Sequence, residues 1–151
     1  MSTIEANTQA AVQAIANGQP LAEHLGFSTD LLKVLYSEAV GHYDRGQTAE
    51  AIATLDLLTK LDMRRADYWA LLGNCLNREG KFQEALACWQ MAMTIKPDRQ
   101  SAMLVARTAL ALKDPAAAAE ALLAARPFIV TQEHVEQAQA VIESLNTLVP
   151  A

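Results

Sequence analysis

Basic residues are the minority among the charges: 12 Lys and Arg stand against 17 Asp and Glu in 151 residues, a formal net charge of -5. A nucleic-acid surface carries an excess of cations, so this balance argues against DNA or RNA as a partner. Cysteine is scarce. Cys75 and Cys88 lie 13 apart with no C-x-x-C and no histidine at zinc spacing, which argues against a disulfide framework or a metal and leaves two reduced, buried thiols as the expectation. Long apolar runs are also missing, since no stretch approaches the roughly 20 residues of a membrane span. The opening Met1-Ser2-Thr3-Ile4-Glu5 has neither a basic n-region nor an apolar h-region, so a cytosolic protein without stable membrane insertion is expected. His24, His42 and His134 are far apart, and none has a carboxylate or cysteine at a ligand or triad spacing. Arg64-Arg65 is too short for a basic patch. No catalytic residue, metal or cofactor is expected, and the chain reads as a binding module and not an enzyme.

What the sequence does contain is a period. Trp69, Leu72, Gly73 and Leu76, followed by Ala85, Trp89, Ala92 and Pro97, follow the pattern W-x2-L-G-x2-Y, A-x3-F, P of a tetratricopeptide repeat, with Leu76 for the tyrosine and Trp89 for the phenylalanine. A step of 34 back places Gly46 on Gly80, Ala51 on Ala85 and Leu55 on Trp89; the same step forward places Ala119 on Ala85 and Leu123 on Trp89. The chain is therefore expected to be all-α: one domain, 1–151, with three helical hairpins at 32–65, 66–99 and 100–133 in a right-handed superhelix. An N-terminal helical arm over 1–30 and a C-terminal capping helix over 131–149 flank them.

Each repeat position has a physical reason. Small residues at Gly73, Ala85 and Ala92 let two helices approach closely, and the bulk of Trp69, Leu72 and Trp89 fills the space between hairpins. Phe82, Ala85, Leu86, Trp89, Ala92 and Met93 share one helix face, expected to be largely buried. Gly46 and Gly80 supply the left-handed conformation that ends a helix. In the third repeat Asp114-Pro115 reads as an N-cap followed by proline at the first helical position. Pro97 and Pro127 mark turns between repeats. Past Thr131, the residues Val135, Ala138, Ile142, Leu145 and Val149 form one apolar stripe with Gln132, Glu133, Glu136, Gln139 and Glu143 facing away. In the arm, Val12 and Ile15 lie on a weakly amphipathic segment that stops at Asn17-Gly18-Gln19-Pro20, and Ser28-Thr29-Asp30 offers caps for the first repeat.

Stacked hairpins of this kind form a concave wall from the first helix of each pair. Its members are Tyr36, Val40 and Tyr43, then Ala70, Asn74 and Asn77, then Leu104, Thr108 and Ala111. Apolar sockets near the start and amides in the middle suit an extended peptide whose backbone is hydrogen-bonded while a few apolar side chains anchor it. The same residues fit a second reading, in which Tyr36 and Tyr43 pack against the N-terminal arm while Asn74 and Asn77 are solvated surface.

Over about residues 26–130 the chain resembles the class II type III secretion chaperones, small acidic tetratricopeptide proteins that hold hydrophobic translocators before export. The carriers are Leu35-Tyr36-Ser37-Glu38-Ala39 with Tyr43 and Gly46, Leu72-Gly73-Asn74-Cys75-Leu76, and a degenerate third repeat ending near Pro127-Phe128. The resemblance implies a bacterial cytoplasmic chaperone whose groove binds an extended N-terminal segment of a translocator, and a homodimer through the arm. Tyr36, Val40 and Tyr43 match the family's groove positions, with a departure at Val40, where an aromatic is common. A general scaffold or adaptor is the alternative. Adaptors that clamp acidic tails use lysine and arginine on the groove wall, which Asn74, Asn77 and Thr108 do not provide.

Overall fold

Local stop and start signals dictate most of the architecture in the computed structural model, which describes residues 3–149. The described residues form helices α1 (Thr3–Ala16), α2 (Leu21–His24), α3 (Thr29–Asp44), α4 (Thr48–Leu61), α5 (Ala66–Arg78), α6 (Phe82–Ile95), α7 (Arg99–Ala111), α8 (Pro115–Ala125) and α9 (Gln132–Leu148), a 3-10 turn at Arg126–Phe128, and no strand. Ser28, Asp114 and Thr131 cap α3, α8 and α9 by accepting the backbone N–H of Leu31, Ala117 and His134. Asp98 does the same for α7. Each cap satisfies a donor that a helix start otherwise leaves unpaired.

The first helix of every pair ends in the same way. Gly46 and Gly80 take φ of +75° and +79°. The next residue's N–H then reaches back to close the helix, Gln47 to the His42 carbonyl and Lys81 to that of Leu76. In the third pair Lys113 takes the left-handed conformation, at φ +58°, and Asp114 N–H reaches the Ala109 carbonyl.

Three hairpins, α3–α4, α5–α6 and α7–α8, stack through α4 on α5 and α6 on α7. Their shared core runs through Ala39, Ala51 and Leu55, then Leu72, Cys75, Ala85 and Trp89, then Val105, Ala106, Ala109, Ala118 and Ala121. At the central crossing a Cβ placed on Gly73 would stand 2.5 Å from Nε1 of Trp89. Only glycine leaves room there for the indole against the helix.

Three sequence expectations change. Helix α7 ends one residue earlier relative to the 34-residue period than α5 does, since Ala111 corresponds to Asn77 and not Arg78. The second helix of the third pair is consequently offset by one: α8 buries Ala117, Ala118, Ala121 and Ala125, while Leu123 is 68% exposed and Ala119 half-buried. Ala118 and half-buried Leu122 thus stand where Ala119 and Leu123 were expected. Phe82, the first residue of α6, is 49% exposed. Helix side chains lean toward the N-terminus, so it projects past the hairpin end, whereas Ala85, Leu86, Trp89 and Ala92 are buried and Met93 half-buried. On α9 the inward stripe is narrower and rotated. Ala138 and Val141 are buried and Leu145 half-buried, but Val135, Ile142 and Val149 are exposed. The alanine-lined surface that α7 and α8 offer accommodates only that strip of a helix.

Helix α2 was not expected. It begins after Pro20 and docks the arm on α4 through Ala22, which is 1% exposed. Helix α1 rests on α2 and buries Ala14, leaving Ile4, Val12 and Ile15 exposed.

Candidate peptide-binding groove

The wall is built from α3, α5 and α7, and its three parts are finished differently. On α3 the aromatic residues are turned toward α5. The Tyr36 ring lies 5.4 Å from that of Tyr68, tilted by 38°, and burial raises the Tyr36 hydroxyl pKa, with a further push from the Asp67 carboxylate. Tyr43 lies under Arg78, whose guanidinium carbon is 3.7 Å from the ring centroid and whose Nη1 donates to the Tyr43 carbonyl at 2.7 Å. Tyr36, Val40 and Tyr43 are half-buried against the core. The tyrosines therefore pack on α5, not on the arm, and truncating either acts on the seam between the first two hairpins as well as on the wall.

The middle of the wall is organised by Trp89. Its Nε1 donates to Oδ1 of Asn74 at 3.1 Å and to the Ala70 carbonyl at 3.3 Å. Indole is a donor only, so this contact fixes the Asn74 carboxamide with its oxygen inward. A cavity of about 370 Å³ lies beside it, lined by Ala70, Asn74 and Trp89 from the second hairpin and by Ser101, Leu104 and Arg107 from α7. Of the anticipated wall residues, Ala70, Asn74 and Leu104 meet at this cavity. Thr108 is half-buried farther along α7, and Asn77 and Ala111 are exposed near the helix ends. Arg107 and Arg78 were missed. Arg107 occupies the period position of Gly73, so an arginine at a glycine site of the repeat was the available signal.

A second cleft of about 630 Å³ lies between the arm and α4–α5, lined chiefly by Ile15, Pro20, Leu21, Met63, Trp69 and Leu72. It shares no lining residue with the first. Trp69 at its edge donates its Nε1–H to the Met63 carbonyl at 2.9 Å.

Cys75 and Cys88 are free thiols buried on α5 and α6. Burial pushes the Cys88 thiol up to about 11, helped by Asp56 and Glu84, and raises that of Cys75. Neither thiol should react with Ellman's reagent in the native protein at about pH 8, and both should react in concentrated urea, because only the thiolate is nucleophilic. Both folded pKa values lie above the unfolded one. This contribution to stability is therefore whole below about pH 9 and is lost as pH rises toward 11. Rapid native labelling would contradict the burial.

Among the described residues no helix is long and apolar enough to cross a membrane. Residues 66–99 match the tetratricopeptide repeat family. No curated protein matches the sequence. Among solved structures, a T3SS complex from Aeromonas hydrophila is similar at 23% identity, over 93% of this chain and 95% of that one, with a TM-score of 0.73. The type III secretion translocator chaperone SycD of Yersinia enterocolitica is similar at 23% identity over 86% and 98%, with a TM-score of 0.65. PcrH of Pseudomonas aeruginosa, solved with the chaperone binding region of PopD, is similar at 24% identity over 82% and 94%, with a TM-score of 0.63. The chain thus has the all-helical, tetratricopeptide-type fold of these solved structures, the translocator chaperone SycD among them.

Proposed function

We propose that this chain is a bacterial cytoplasmic chaperone of type III secretion, acting as one domain and without enzymatic activity. It holds an extended N-terminal segment of a hydrophobic translocator along the wall of α3, α5 and α7 and keeps that partner soluble. The observation that carries the reading is the cavity at Ala70, Asn74 and Leu104, which pairs an apolar floor with an amide fixed from behind by Trp89. Such a site suits a main chain with a spaced apolar anchor. The similarity to SycD and PcrH supports the class of partner.

The test is co-purification with candidate translocators, followed by calorimetry with their N-terminal peptides. Leu104 is 39% exposed, so Leu104→Asp should weaken binding by about 2 kcal/mol with little change in melting. Unchanged affinity would place the partner elsewhere on the protein.

The arm completes the proposal. Ile4, Val12 and Ile15 are apolar and exposed on α1, which supports a homodimer through residues 1–30, and SycD is known in dimeric forms. Deleting about the first 20 residues should leave α2 docked and a folded protein that elutes smaller in size-exclusion chromatography. An unchanged elution volume would refute the role of the arm.

A further inference from the structure

The groove cavity carries one open cation. Arg107 lies at its edge, exposed, and makes no ion pair or hydrogen bond to any described residue. The other arginine near the wall, Arg78, is engaged by the Tyr43 ring and carbonyl. A chain of net charge -5 has ample carboxylates to neutralise a guanidinium, yet none is placed on this one. Asn74 supplies the second element. Because its Oδ1 accepts from Trp89, its Nδ2 is left as the outward group and has no partner among the described residues. No buried side-chain nitrogen or oxygen among the described residues lacks a partner, so this unbonded Nδ2 is open to solvent at the half-buried Asn74. Leu104 and Ala70 supply the apolar surface between the two polar groups.

We infer that this cavity selects an acidic residue within the bound segment. The side-chain carboxylate of an Asp or Glu pairs with the Arg107 guanidinium, Asn74 Nδ2 donates to a neighbouring main-chain carbonyl, and an adjacent apolar side chain lies on Leu104. The inference rests on the reading of the wall as a site for an extended segment and adds a charge requirement to it. A lone open guanidinium pairs with a single carboxylate, here one carried by a side chain inside the extended segment.

The probe is a library of fluorescein-labelled, C-terminally amidated decapeptides with one position fixed as Glu, Gln or Lys and the others randomised among uncharged residues. Binding is read by fluorescence polarisation on the full-length protein. At one position Glu should be preferred over Gln by about fivefold to tenfold, and the preference should shrink as salt is raised. R107Q should abolish it and R107E should shift it to Lys, with the thermal melt unchanged because Arg107 is exposed. A Glu preference that persists in R107Q overturns the inference. So does a larger gain from a free C-terminal carboxylate on peptides without Glu. Peptides that bind with no acidic preference and are released by Leu104→Asp leave the groove reading standing and remove only the inference. If no peptide binds, both fall.

Discussion

Ala85→Trp is expected to abolish cooperative folding or to lower stability by about 3 kcal/mol or more, at or beyond the upper end of overpacking effects. Ala85 has 0% exposure at the crossing of α5 and α6, where Gly73 already yields its side-chain space to Trp89. An added indole has no void to enter and must separate the hairpin that carries both Asn74 and Trp89. Urea unfolding followed by far-UV circular dichroism measures the effect. Ala87→Trp is the control: Ala87 is exposed on the same helix, and its substitution should change the midpoint little. Equal midpoints for the two variants would show that the crossing is not where the structure puts it.

The second large effect lies at Trp89, where structure and binding meet. Trp89→Ala should cost about 3–5 kcal/mol, the range for emptying a buried aromatic site, since Trp89 is 5% exposed and packs over Gly73. Trp89→Phe separates the two roles. It retains most of the apolar volume but removes the Nε1–H that holds Asn74 Oδ1. Its stability should fall by about 1 kcal/mol, the scale of one net hydrogen bond. If the proposed groove is the binding site, peptide affinity should fall as well, because Trp89 no longer holds the Asn74 carboxamide with its oxygen inward. If Trp89→Phe bound peptide as tightly as the parent, the indole would be packing only and Asn74 would position itself without it.

Much of this protein is readable one repeat at a time. Gly46 and Gly80 end helices through their own backbone freedom, and Ser28, Asp114 and Thr131 cap helices by contacts three residues away. Such local interactions are written in the order of residues, so the six repeat helices, their hairpin pairing and the face from which α5 contributes to the wall follow from the sequence, whereas α2 does not. The period also identified Ala70, Asn74 and Leu104, which converge on one cavity although 34 residues separate Ala70 from Leu104.

Tertiary structure alone decided the rest, because it depends on which surfaces meet. The early end of α7 moves the buried row of α8 by one residue, and a row of alanines accepts that offset since each offers the same small contact area. In the sequence Tyr36 and Tyr43 fit both groove sockets and packing against the arm, and only the placement of α5 beside α3 brings Tyr68 and Arg78 against them. The orientation of Asn74 follows from a donor 15 residues away on the next helix, and the open charge of Arg107 follows from the lack of any carboxylate partner among its described neighbours. The sequence by itself determined the repeat and its helices because these rest on short-range hydrogen bonds and periodic burial. Only the packed fold decided which groups on the wall are already satisfied and which remain free to bind, because that depends on contacts between helices.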